Sequence, residues 1–480
     1  MSGELEIFKK TQAVLDDVSP SFCMAKWLQV TLHLQNGKNH SCHHPQTHHT
    51  PLSELVDNPS ALHNTSFKKE QRKLMVDGKR PTECQYCWNV EDLVGNHVSD
   101  RIMKSSDAGW AGDNRVPGLL DKISAGEEIN PTYVEVSFSN ACNFKCSYCS
   151  PVHSSKWTSE ISNQGPYQLS TRMHNDLDWY RHTKDMPIHH KEYNPYVEAF
   201  WEWWPELSKT LKVFRITGGE PLIEPNTFKV IDFLSNTPLP DMEFSINSNL
   251  GVPTSVIDTY IEKMSELIVN NKIRRHCMYT SVDGHGKQAE YGRHGLDYEY
   301  WLSNVNKVLT ELPTVKIVIM CTTNIFSITT YKRLLQDVYD LKIKYQSDVR
   351  DMPITIDTSI LRWPHHQCLA ILPNEYADLL VPALDFMKEK EEMNGINLAY
   401  QGFFQFEIEK LSRLVEFVRT QPNASEGIVI DTAMRDFYLF VNEHDRRRGT
   451  DFLATFPELE PFYMRCKALE ENMIKVKNIE

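Results

Sequence analysis

Six short runs of β-branched and aromatic residues punctuate positions 133–359, each followed by a stretch long enough for a helix. They are Tyr133-Val-Glu-Val-Ser-Phe-Ser139, Lys212-Val-Phe-Arg-Ile-Thr217, Met242-Glu-Phe-Ser-Ile-Asn247, His276-Cys-Met-Tyr-Thr-Ser-Val282, Val315-Lys-Ile-Val-Ile-Met-Cys321 and Pro353-Ile-Thr-Ile-Asp-Thr-Ser359. Such runs read as strands, and apolar positions at 226–234, 254–269 and 298–309 recur at helical spacing. Strands alternating with helices make parallel βαβ units with right-handed crossovers. The expected fold class is therefore α/β, with a partial (βα)6 TIM-like barrel at its core. Chemistry in such barrels sits at the C-terminal ends of the strands. Cys142, Gly218, Asn247 and Asp283 each follow directly on a predicted strand.

At 480 residues the chain is long for one compact domain. The expected division is a small Cys-rich unit at 1–95, a linker at 96–130, the core at 131–360 and a mainly helical region at 361–480. Within the first unit a strand is expected at 28–34 and a helix at 66–76. The interval 150–210 exceeds one crossover; its part from 193 to 211 reads as the crossover helix and the rest as an insertion. In the last region an amphipathic stretch lies at 404–419 and a charged one near 436–448. With 51 Lys+Arg against 64 Asp+Glu the net charge is -13, which argues against broad phosphate binding and so against nucleic acid as the partner. The N-terminus is acidic where a secretory signal is basic, and no apolar run approaches the roughly 20 residues that span a bilayer. The expectation is a cytoplasmic protein with no membrane segment.

That compartment keeps thiols reduced, so the eleven cysteines point to metal rather than to disulfides. Cys277, Cys321, Cys368 and Cys466 stand singly and read as small buried hydrophobes. The other seven fall into two groups. Cys142, Cys146 and Cys149 form a Cys-x3-Cys-x2-Cys loop; three thiolates so spaced can each bind one iron of a [4Fe-4S] cube and leave the fourth iron without a protein ligand. The alternative is zinc with a fourth ligand such as His153.

Cys142-Asn-Phe-Lys-Cys146-Ser-Tyr-Cys149 after a strand resembles the cluster loop of radical SAM enzymes, and the resemblance extends over about 132–359. It implies that S-adenosylmethionine (SAM) chelates the open iron and is reductively cleaved to a 5′-deoxyadenosyl radical, which abstracts hydrogen from a substrate. By the same resemblance Tyr148 lies near the adenine, and the segment Gly218-Gly219-Glu220-Pro221 holds the SAM amino group. Glycines in that segment are expected to let the main chain approach a ligand. Asn247, Ser281 and Asp283 are expected to serve the ribose hydroxyls and the methionine carboxylate. Arg293 either pairs with that carboxylate or is a solvated loop residue.

Cys23, Cys42, Cys84 and Cys87 form the second group, which by spacing alone suits zinc or iron-sulfur equally. Phe22-Cys-Met-Ala-Lys-Trp27, Cys42 and Gly78-Lys-Arg-Pro-Thr-Glu-Cys84-Gln-Tyr-Cys87-Trp88 resemble the SPASM/twitch module, which implies a second iron-sulfur cluster. In most relatives that module follows the barrel; here it precedes it. The histidines beside Cys42 could substitute as ligands or form a solvated loop. Together the resemblances imply a radical SAM oxidoreductase or maturase acting on a peptide or protein side chain, with a reducing partner such as flavodoxin or ferredoxin. The alternatives are RNA or nucleotide modification, which calls for a basic rim, and a non-catalytic zinc or iron-sulfur binding protein.

Overall fold

A computed structural model describes residues 2–95, 97–171, 173–346, 352–391, 402–420 and 429–477. Of the stretch 361–480 expected to be helical, positions 392–401, 421–428 and 478–480 lie outside the described residues. The strands are β1 (Gln29–His33), β2 (Lys38–His40), β3 (His48–His49), β4 (Tyr133–Ser137), β5 (Lys145–Cys146), β6 (Val213–Thr217), β7 (Leu239–Ser248), β8 (Ile273–Ser281), β9 (Arg293–His294), β10 (Lys316–Thr323) and β11 (Ile354–Ile360). The main sheet runs β11-β10-β8-β7-β6-β4-β1-β2-β3. Its pairs from β11 to β1 are parallel, and β2 and β3 complete it antiparallel. All six predicted runs are strands of this α/β sheet.

The cross-strand register sorts side chains onto two faces, because successive residues of a strand point opposite ways. One face carries Val134, Val136, Phe214, Ile216, Phe244, Ile246, Ile317, Ile319, Ile354 and Ile356, all buried. Helices Pro225–Asn236, Thr254–Val269, Tyr298–Glu311 and Tyr331–Lys344 contribute apolar stripes to the same continuous core. The other face is polar: in register across four strands it presents Glu135, Arg215, Ser245 and Cys277, then Ser137, Thr217, Asn247 and Tyr279. A parallel sheet covered by apolar groups on both sides would read as continuous hydrophobic runs. The alternation here marks one face as built for polar contents.

The crossover after β4 contains three helices, Ser155–Gln164, Leu177–His182 and Pro195–Leu207. The last begins at Asn194, whose side chain accepts from the backbone N–H groups of Tyr196 and Val197, a cap that fixes where the aromatic helix starts. Phe200, Trp203 and Trp204 bury its inner side. The charged stretch near 436–448 lies within helix Ile430–Arg448.

The N-terminal segment joins the main sheet. β1 pairs in parallel with β4 over its whole length, so the segment extends the main sheet. The stretch 96–130, read as a linker, carries helices Asp100–Ser105 and Val116–Ala125. Ile102 is buried there, and Trp110, Val116 and Leu119 join Phe22, Trp27, Met75 and Trp88 in a second apolar cluster, which touches β6 through Val213. Too small to bury a core alone, this region completes one with the residues that follow it.

Candidate functional site

The Cys142–Cys149 loop leaves the C-terminal end of β4 and is tied down at nearly every residue. Ser155 Oγ accepts from the Cys142 N–H at 3.2 Å, Ser154 Oγ donates to the Phe144 carbonyl at 2.7 Å, and Trp157 Nε1 donates to the Cys146 carbonyl at 2.9 Å. Gln367 and Ser147 exchange two further bonds. Phe144, between the first two cysteines, is buried, and its ring is the nearest neighbour of Gly251 and Gly295: a Cβ on either would meet it at 2.3 or 2.8 Å. Phe144, Trp157 and Gln367 escaped the sequence reading. An apolar residue inside a cysteine loop was the available signal for Phe144; nothing local signals Gln367.

Cys142, Cys146 and Cys149 all keep some accessible surface although protein encloses them. Burial pushes all three thiols up, Cys149 to about 12, so protons must leave when a metal binds. Among the described residues, the trio of His, Cys, Asp or Glu donors whose atoms all lie within 4.8 Å of one another is His43, His44 and Asp100. His153, the alternative fourth ligand, faces His33 of β1 with ring centroids 6.5 Å apart.

Gly218 and Gly219 follow β6, and a Cβ there would strike the end of β4 and the residues just after it. At Gly219 it would lie 2.1 Å from the Ala141 carbonyl oxygen, and at Gly218, where φ is +123°, 2.7 Å from Ser137 Oγ. At these positions the missing side chains let two strand ends close on each other. Glu220 is buried. Its Oε1 accepts from the Leu222 N–H at 2.9 Å and Ser248 Oγ at 2.8 Å, and its Oε2 accepts from the Asn249 N–H at 2.7 Å. A carboxylate offers about four acceptor positions, so one remains. Burial raises its carboxyl to about 7 despite those three donors. Asn249 in turn bonds Asn143 of the cluster loop at 2.8 Å.

Asn247 and Ser281 lie half-buried on the polar face. Asn247 Oδ1 accepts from Arg215 Nε at 2.8 Å, and the Arg215 guanidinium lies 3.8 Å from the Tyr279 ring centroid and 3.6 Å from Glu135. Asp283 is held by several donors within the protein. Its Oδ2 accepts from Arg293 Nε at 2.7 Å and from Tyr148 Oη at 2.9 Å; its Oδ1 accepts from Arg293 Nη2 at 3.0 Å and the Thr322 N–H at 2.8 Å. Four donors thus meet the two oxygens of this carboxylate. Arg293 is correspondingly buried rather than solvated, and Tyr148 accepts from its Nη2.

Cys23, Cys42, Cys84 and Cys87 line a single cavity with Lys26, His44, Asp100, Arg101 and Lys104. Lys26 Nζ lies 3.8 Å from Cys84 Sγ. Burial raises all four thiols, Cys84 and Cys87 to about 12. His44 joins Asp100 at 2.7 Å and stacks on Tyr86, closing one wall. The four isolated cysteines, Cys277, Cys321, Cys368 and Cys466, are buried as expected. No helix among the described residues is long and apolar enough to cross a membrane.

Residues 136–328 match the family model of the Radical SAM superfamily. No curated protein matches the chain. Among solved structures it is similar to native anSMEcpe with bound AdoMet and Cp18Cys peptide, at 15% identity and a TM-score of 0.25, over 37% of this chain and 46% of that one. The similarity thus spans less than half the length of that protein.

Proposed function

We propose that this chain is a radical SAM oxidoreductase or maturase that abstracts hydrogen from a peptide or protein side chain. The observation that carries the reading is the enclosed, well-anchored trio of thiols at the end of β4, inside the segment that matches the Radical SAM model. When bound, a [4Fe-4S] cluster with SAM on its open iron supplies one-electron cleavage of the sulfonium and a carbon radical able to take hydrogen.

The chain's own residues then have separable tasks. Cys142, Cys146 and Cys149 hold the cluster, and the bonds from Ser154, Ser155 and Trp157 keep their loop in one conformation. Glu220 uses its remaining acceptor position for the SAM amino group. Asn247 and Ser281 face the adjoining polar surface and serve the ribose or the methionine carboxylate. Asp283 acts on Arg293 instead of on SAM. The polar face that includes Glu135, Arg215 and Tyr279 suits a substrate rich in hydrogen-bonding groups, as a peptide is. In the N-terminal cavity Cys23, Cys42, Cys84 and Cys87 supply four thiolates for a second cluster, and the cations Lys26, Arg101 and Lys104 offset their charge. A small electron-transfer protein such as flavodoxin or ferredoxin is the reductant.

The test is anaerobic protein with SAM and dithionite. Wild type is expected to be brown, to hold roughly eight irons and to release 5′-deoxyadenosine. The Cys142→Ala, Cys146→Ala, Cys149→Ala triple variant is expected to keep only the N-terminal irons and release none. A colourless zinc protein, or product from the triple variant, would contradict the assignment.

A further inference from the structure

We propose that Arg293 sets the reduction potential of the cluster held by Cys142, Cys146 and Cys149, through an N–H···S hydrogen bond from its Nη1 to the Cys146 sulfur. The inference rests on the iron-sulfur reading of that site and adds to it a residue that touches none of the reacting atoms.

The contact follows from the local fold. β5 and β9 form a two-stranded antiparallel ribbon in which Cys146 lies directly opposite Arg293. The Ser147 N–H donates to the Gly292 carbonyl at 2.7 Å beside that pair, which fixes the ribbon. From this position Nη1 reaches Cys146 Sγ at 3.6 Å. The rest of the guanidinium is held elsewhere: Nε and Nη2 grip Asp283, and Nη2 also donates to Tyr148 Oη. Asp283 is itself fixed by the Thr322 N–H at the end of β10. A guanidinium gripped along one side by a carboxylate has one orientation, and here it directs its Nη1 group at sulfur.

The side chains of Arg293 and Asp283 are each 7% exposed, so water screens neither charge. The Arg293–Asp283 pair is neutral as a whole and acts as a dipole with its positive end at the Cys146 sulfur. Reduction adds one electron to the cluster and makes its sulfurs more negative. The N–H donor and the near positive end favour that state and raise the potential. Removing the donor lowers the potential. Removing only the Asp283 charge leaves an uncompensated cation at the same place and raises it.

These opposite signs make the test. Anaerobic full-length protein is poised potentiometrically, and the SAM-responsive reduced-cluster signal is read by electron paramagnetic resonance, with iron content measured on the same samples. Arg293→Gln is expected to hold about tenfold less reduced cluster than wild type at a given poise, the scale of one charge-assisted bond. Arg293→Lys is expected to shift less, and Asp283→Asn in the opposite direction. If Arg293→Gln fails to load iron, the opposite shifts of Arg293→Lys and Asp283→Asn carry the test. Unchanged potentials at wild-type iron content, or Arg293→Gln and Asp283→Asn shifting together, would overturn the inference and leave the radical SAM reading standing. Wild-type protein with no reducible, SAM-responsive cluster would instead remove that reading.

Discussion

Glu220 shows how one side chain can be both structural staple and ligand. Two of its three hydrogen bonds join the end of β6 to the end of β7, yet burial still lifts its carboxyl from 4.5 to about 7. The folded state thus holds this proton more tightly than the unfolded chain does. The stabilisation is fully present below about pH 4.5 and is lost as pH rises through about 7, a difference of about 3 kcal/mol at 1.36 kcal/mol per unit. Glu220→Gln removes the titration. Thermal unfolding midpoints between pH 5 and 8 are therefore expected to fall more steeply with pH for wild type than for the variant, and parallel curves would contradict this account. The sequence placed Glu220 at a strand end beside two glycines, and that was enough to single it out. Its partners Ser248 and Asn249 lie on the next strand end, and no local pattern connects them to it.

At the scale of elements, the strands were readable because their helix-facing positions are β-branched and aromatic. Tyr133–Ser137 and Val213–Thr217 carry that signal in five residues each. The parallel partnership of β1 with β4 was not readable, since register is fixed by what packs against both strands and leaves no mark inside either. The same limit hid the closure of the sheet edge. Helix Gln405–Thr420 brings the buried Glu407 against β11, where its carboxylate accepts from the Ile356 N–H at 2.7 Å, the Phe404 N–H at 2.7 Å and Lys342 Nζ at 2.9 Å. An edge strand offers unpaired N–H groups, and this carboxylate covers one of them. Glu407→Ala takes away one partner of a buried ion pair and is expected to cost about 3–5 kcal/mol. Hydrogen exchange at the Ile356 amide is expected to quicken well before exchange in β6 or β7; uniform protection across the sheet would count against this role.

Taken whole, the molecule sets two groups of thiols on one continuous sheet. The N-terminal cavity lies in a segment that extends the sheet beside β4, and the cluster loop leaves the end of that same strand. A segment that precedes β4 in sequence is joined to it in space. The spacing of Cys142, Cys146 and Cys149 disclosed the first group from sequence, whereas the gathering of Cys23, Cys42, Cys84 and Cys87 around one cavity depends on the packing of Trp27, Met75 and Trp88 beneath it. Both groups matter only if the first holds an iron that accepts a ligand from outside the chain. The direct measurement is the electron paramagnetic resonance spectrum of dithionite-reduced anaerobic protein before and after SAM is added. A change in the reduced-cluster signal is expected, and it is expected to vanish in the Cys142→Ala, Cys146→Ala, Cys149→Ala variant while the N-terminal signal persists. A wild-type spectrum that SAM leaves unaltered would contradict the account.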